Sequence, residues 1–473
     1  MKKYFIMFLA VTVLWSCHTD QEYENLNIDP KSPVQVPAEF LFNGATVRLA
    51  RHMASPNVNT NIFRFVAQYL TPTTYTDEAN FDLNTRNITQ NHWSVLYRTV
   101  IGDLQDAKRF VNENESLSEE NRNARLAQIE VIEVYAWHVL VDTFGDVPYT
   151  EAHQSDNNLP AYDDAETIYI DLLSRLGSIA NNLQEGQGFG TDPVYGGNMD
   201  NWFRFANSLQ LRLAMRLADS NPQLSQQAAE AAVARGVFES QDQSATVEFD
   251  EAPPYTNPLW NDLVQSGRSD YVAANTMVDY MNALNDPRIS TYYDDNIASG
   301  YVGGIYGTNS AFSTHTHIGE RFLDPTLPGI LQDYVEVEFY LAEAAQRGYN
   351  VPGTAEEHYN RAITASILFY GGTQAQASAY LAQSSVAYNA ANWRESIGTQ
   401  FWLAMFDNPF EGWSVWRKFD APELAVSGLL QRPVPLRYTY PINEQNLNEL
   451  NWEAASQAIG GDDQQTSLFW DVN

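Results

Sequence analysis

The chain has 473 residues, with 59 acidic side chains against 27 lysines and arginines, and a formal net charge of −32. A field of that sign repels phosphate-rich partners, so nucleic acid is excluded and anionic lipid headgroups are disfavoured. The length exceeds what one ordinary core fills, and the single cysteine, Cys17, leaves no disulfide framework to hold a smaller fold together.

Lys2 and Lys3 precede a mostly apolar run over residues 4–14 that is too short to span a bilayer, so residues 1–16 read as a signal peptide. The run ends in Leu14-Trp15-Ser16-Cys17, which resembles the lipobox of bacterial lipoproteins: a branched apolar residue, a small residue, then cysteine. Cys17 is therefore the expected lipidation site and mature N-terminus. Residues 17–37 are polar and interrupted by Pro30, Pro33 and Pro37, the composition of a tether. Asp20, Glu22 and Glu24 look like the acidic signal that routes lipoproteins of Bacteroidetes to the cell surface. No second apolar stretch has the length of a membrane span, so lipid alone is expected to hold the protein to the membrane.

Folding is expected from Ala38, as one domain over residues 38–473. Trp93, Tyr97, Val100, Ile101, Leu104 and Ala107 form one helical stripe, and Ile129, Ile132, Ala136, Val139 and Leu140 another. The second stops at Asp142-Thr143-Phe144-Gly145-Asp146-Val147-Pro148-Tyr149, where Gly145 suits a positive-φ cap and Pro148 blocks resumption. A further helix carries Trp202, Phe205, Leu209 and Leu213. Residues 238–328 change character: proline, glycine and tyrosine become dense and no stripe persists except at 275–284, predicting a loop-rich region. Helical spacing returns at Tyr334, Val337, Leu341 and Ala344, then after a turn at Tyr359, Ala362, Ile363 and Ile367, a helical hairpin whose second member has the small-and-aromatic spacing of tetratricopeptide helices. Helices at 393–406 and 413–419 follow. The fold class is thus mostly α, a tetratricopeptide-like scaffold over about 38–237 and 329–473 with an irregular ligand-binding region over about 238–328.

Taken in order, these segments resemble the SusD/RagB family of nutrient-binding outer-membrane lipoproteins, in particular its SusD-like subgroup. The carriers are Cys17, Trp93-x3-Tyr97, the Asp142 to Tyr149 stop, Asp286-Pro287-Arg288, Tyr340-Leu341-Ala342-Glu343-Ala344, Trp413-x2-Trp416-Arg417-Lys418, the Tyr440-Pro441 motif and Phe469-Trp470-Asp471. The resemblance implies four tetratricopeptide-like helix pairs and a partner, a SusC-type TonB-dependent barrel over which the lipoprotein sits as a hinged lid. Ligand would then pass inward as oligosaccharide or, in the alternative, as oligopeptide. Pro441 and Glu444 have a purely structural reading as a helix start.

A hydroxyl-rich ligand needs flat aromatic faces and planar polar groups in a largely preformed cleft. Loop aromatics interleaved with polar residues meet that need in two segments, giving Tyr75, Asp77 and Phe81 ahead of Trp93 in the first, and Tyr301 and Tyr306 in the second. Arg268, with Asp270, is placed to bond sugar hydroxyls or peptide termini, or to form a surface pair. Catalytic readings find no footing. His315-Thr316-His317 has no distal partner that would complete a zinc site, and Gly186-x-Gly188-x-Gly190 follows no strand. No nucleophile motif occurs. Calcium stays open at Asp294-Asp295-Asn296, where a solvated acidic turn is the simpler reading. The sequence therefore reads as a cell-surface binding protein, with a surface hydrolase as the weaker alternative.

Overall fold

The computed structural model describes residues 36–154 and 156–472. The expected signal peptide, the expected lipidation site Cys17 and most of the expected tether lie outside the described residues.

The frame is built from helices: α1 (Ala38–Ala54), α2 (Ile88–Ser94), α3 (Gly102–Glu113), α4 (Glu119–Phe144), α5 (Ala165–Ile179), α6 (Met199–Arg216) and α7 (Pro222–Arg235) in the first part, then α8 (Asn275–Ala283). The second part adds α9 (Tyr334–Gln346), α10 (Ala355–Phe369), α11 (Gln374–Leu381), α12 (Trp393–Ala404), α13 (Pro409–Phe419), α14 (Ile442–Leu447) and α15 (Glu449–Ala458). Four pairs pack along their lengths, α4 on α5, α6 on α7, α9 on α10 and α12 on α13. This is a tetratricopeptide-like arrangement of stacked helix pairs, and α6 packs on α4, α5 and α9 as well as on its partner α7.

Local chemistry explains the boundaries. The Ser118, Asp164, Asn198 and Asp333 side chains accept from the third backbone N–H of α4, α5, α6 and α9, and Thr354 with Glu357 forms a reciprocal capping box at α10. Gly145 ends α4 at φ +87° and donates its N–H to the Val141 carbonyl, as its place in the stop motif predicts. Between α2 and α3 the helix is π-wound over Val95–Ile101, and a second π-wound segment spans Asn261–Gln265.

Two small antiparallel ladders tie the loop region to the frame. Strand β1 (Leu70–Pro72) pairs with β3 (Tyr271–Ala273) in the register Leu70 to Ala273, and β2 (Ala245–Val247) pairs with β4 (Gly329–Gln332). Within residues 238–328 the regular elements are short, with α8 the longest helix.

The core includes a buried relay from α1 to α4. Thr143 Oγ1 donates to the Val139 carbonyl at 2.7 Å, so it accepts from His92 Nε2 at 3.4 Å, and His92 Nδ1 in turn accepts from His52 Nε2 at 2.6 Å. Both rings are neutral: a second proton on His92 would set two N–H groups face to face, and one on His52 would leave a buried charge without a counter-ion. Burial pushes His52 down to about 4 and His92 well below its ordinary value. A depressed histidine stabilises the fold at neutral pH and gives that up as pH falls from about 6.5 toward 4. Buried carboxylates such as Asp333, raised to about 6, contribute with the opposite sign. The stability difference between wild type and His52→Leu, followed by urea titration, is therefore expected to shrink by up to about 3 kcal/mol across that interval. A difference independent of pH would show that His52 titrates in the fold as it does in the unfolded chain.

Candidate functional site

The β1/β3 ladder brings together two loops that lie about two hundred residues apart in sequence. Thr73 closes the junction, its N–H donating to the Asp270 carbonyl at 2.8 Å and its hydroxyl to the Ser269 carbonyl at 2.7 Å. Between the loops lies an open cleft of about 150 Å³, room for part of a ligand with the remainder in solvent. Phe65 and Tyr271 line its floor, their rings edge to face at 5.7 Å. The Tyr271 hydroxyl is spent on the Pro56 carbonyl, so that ring offers surface and not a donor.

Tyr75 stands at the rim with 61 % of its surface exposed. The Arg86 guanidinium lies 5.9 Å from its ring centre and is itself held by the buried Glu78 carboxylate. The opposite wall carries Arg268, bonded through Nε to Asp270 at 2.6 Å, and Asp262, which accepts from Asn57 Nδ2 at 3.5 Å. Burial raises the Asp262 carboxyl above its usual range, with Arg268 and Asn57 opposing. Asp262 belongs to the second π-wound segment, an irregularity often found where a helix aims side chains at a site. The arrangement offers an aromatic face beside paired charges and amides with free valences, which suits the C–H surfaces and hydroxyls of a sugar.

Two of the sequence candidates, Tyr75 and Arg268, line this cleft together. Asp77 is exposed but lies outside the lining, with its backbone carbonyl capping Asn80 and Asp82. Tyr301 is half-buried and also outside the lining, its carbonyl accepting from Asn282. Three candidates are corrected by burial. Phe81 is fully enclosed beneath the cleft loop at φ +63°. Tyr306 is 1 % exposed and donates its hydroxyl to the Phe65 carbonyl at 2.8 Å. Trp93 packs among Tyr97, Phe144, Tyr162 and Tyr440, facing the core.

Asn57, Asn59, Arg86 and Asp262 were not signalled by the sequence. The one local hint is the polar Asn57-x-Asn59 corner that follows α1 and Pro56. At the histidine pair, His317 stacks on Phe312 at 3.6 Å and both rings bond backbone carbonyls. Among the described residues no group of three metal-ligating side chains gathers, and no helix is long and apolar enough to cross a membrane.

The fold is that of a tetratricopeptide-like helical protein with an irregular loop region mounted on its frame. The family model described as "Starch-binding associating with outer membrane" matches residues 30–441, and the chain belongs to this SusD-like family of outer-membrane-associated binding proteins. Solved structures agree. A SusD-like protein of Bacteroidetes superposes with a TM-score of 0.80 at 23 % identity, over 93 % of this chain and 100 % of its own. A chitin-binding SusD homologue from Flavobacterium johnsoniae gives 0.76 at 26 % identity, covering 92 % and 98 %. A SusD homologue from Bacteroides uniformis gives 0.79 at 24 %, covering 92 % and 100 %. No curated protein matches the sequence.

Proposed function

We propose that this protein captures oligosaccharides at the bacterial cell surface, anchored through lipid on Cys17, and delivers them to a partner SusC-type TonB-dependent barrel. The observation that carries the reading is the cleft, where an exposed tyrosine face stands beside arginine, carboxylate and amide groups on loops pinned by the β1/β3 ladder. The chitin-binding description of the Flavobacterium relative supports a glycan as ligand. The outer-membrane association of the family supports that location, and the lipobox-like Leu14-Trp15-Ser16-Cys17 supports attachment through lipid.

Isothermal titration of the protein lacking residues 1–17 against a panel of oligosaccharides tests this directly. Tyr75→Ala is expected to weaken the bound glycan by roughly tenfold or more, the loss of about 1.5 kcal/mol of ring contact, with melting temperature unchanged because the side chain is exposed. Failure of every glycan to bind, or full affinity in Tyr75→Ala, would sink the assignment of this cleft.

A further inference from the structure

Beside the glycan cleft lies a second groove of about 270 Å³, and the hydrogen-bonded pair Asn57 and Asp262 lines both, so the two lie side by side across that pair as one trough with a polar divide. The second groove differs in chemistry. It has no exposed aromatic; instead Arg48 and Arg51, one helical turn apart on α1, line it together with His52 and Asn261. Both π-wound segments contribute to it, Val95 from the first and Asn261 and Asp262 from the second. Two such distortions meeting at one groove mark it as a built feature of the frame.

In a chain with more than twice as many acids as bases, a basic groove stands out. Among the described residues neither Arg48 nor Arg51 forms an ion pair. Arg51 donates one N–H to the buried Thr256 carbonyl, which fixes its guanidinium at the wall. Arg48 is exposed, and the acid that senses it is Asp103 on α3. The net negative charge of the molecule does not forbid an anion here, because fields beyond about 8 Å are screened at physiological salt while contacts within the groove are not.

Resting on the glycan reading above, we infer that the trough is selective for acidic oligosaccharides: the sugar on Tyr75 is followed by a residue whose carboxylate or sulfate ester is bound by Arg48 and Arg51. Guanidinium presents paired donors that match either oxyanion, and charge-assisted bonds of this kind are about twice as strong as neutral ones. Asn57 and Asp262, at the junction, are placed to bond the hydroxyls of the linking sugar. A neutral glycan would fill the Tyr75 end and leave the arginines solvated.

The test uses four probes on the protein lacking residues 1–17: hexagalacturonate and a chondroitin sulfate hexasaccharide as acidic ligands, chitohexaose and maltohexaose as neutral ones. An acidic probe is expected to bind roughly tenfold tighter than the neutral ones at low salt, with the advantage falling as salt rises. Arg48→Gln is expected to remove most of that advantage and Arg48→Glu to reverse it, since Arg48 is exposed and makes no bond that the fold requires. Acidic probes that bind no better than neutral ones, or that ignore Arg48→Glu, overturn the selectivity and leave the glycan reading standing. If no probe of either charge binds wild type, the glycan reading fails and this inference with it.

Discussion

Arg216→Met is expected to cost roughly 3–5 kcal/mol of stability, the usual consequence of stranding a buried charge, and to be the most damaging single substitution in the scaffold. Arg216 on α6 is fully buried, with Nε 3.3 Å from Asp142 on α4 and Nη2 2.8 Å from Glu411 on α13. Asp142 also accepts from Tyr169 of α5 at 2.5 Å and from Trp470 near the C-terminus at 2.9 Å, while Glu411 accepts from Tyr340 of α9. One guanidinium thus satisfies carboxylates contributed by two helix pairs and reaches, through them, a third pair and the chain end. Burial raises the Asp142 carboxyl, whereas for Glu411 burial is outweighed by Arg216 and Arg212, which hold it down. Methionine fills much of the volume but leaves Asp142 without its ion pair and Glu411 with only Arg212, 3.9 Å away. Urea denaturation would register the loss, and a companion Arg216→Met/Glu411→Leu variant should recover part of it by removing one stranded carboxylate. A cost under 1 kcal/mol would mean that water reaches the network.

The same residues explain what the sequence makes legible. Asp142, Tyr340, Trp413, Arg417 and Trp470 belong to the ordered motifs, and each is buried in the packing between helix pairs. Arg417, for instance, lies 3.6 Å from the Trp413 ring centre and donates to the Asp142 and Leu436 carbonyls. Motif positions therefore report the frame and are silent on the ligand. Helices with a strong apolar stripe, such as α3 and α6, announce themselves through spacing. The second helix of the α6/α7 pair does not, because its buried face is mainly Ala228, Ala229 and Ala232, which contrast little with their polar neighbours. The cleft was half legible. Tyr75 and Arg268 lie in polar loops and do face solvent, but nothing local separates them from Phe81 and Tyr306, whose inward turn is decided by distant partners. Tyr306 reaches a carbonyl 241 residues away. Whether a loop aromatic is platform or staple is set by tertiary contacts that no short pattern encodes.

Gly412→Ala carries the link between frame and site. On α13, a Cβ at Gly412 would stand 2.0 Å from the Tyr69 hydroxyl and 2.8 Å from Cζ, closer than any real contact. Tyr69 cannot swing aside: it is fully buried, its hydroxyl donates to the Trp402 carbonyl at 2.7 Å, and its own carbonyl accepts from Tyr293 at 2.8 Å. It also immediately precedes β1, so displacing it displaces the ladder that sets the two cleft loops against each other. Overpacking of this kind costs about 1–3 kcal/mol, and here it should be accompanied by weaker glycan binding although Gly412 is remote from the ligand. Tyr69→Phe removes the worst contact while leaving Cζ crowded. Its combination with Gly412→Ala is therefore expected to be less damaging than the sum of the two by roughly 1 kcal/mol, read as a double-mutant cycle in both melting and titration. Additive stability losses with unchanged affinity would instead place the cleft under the control of its own loops, mechanically independent of the helix beneath.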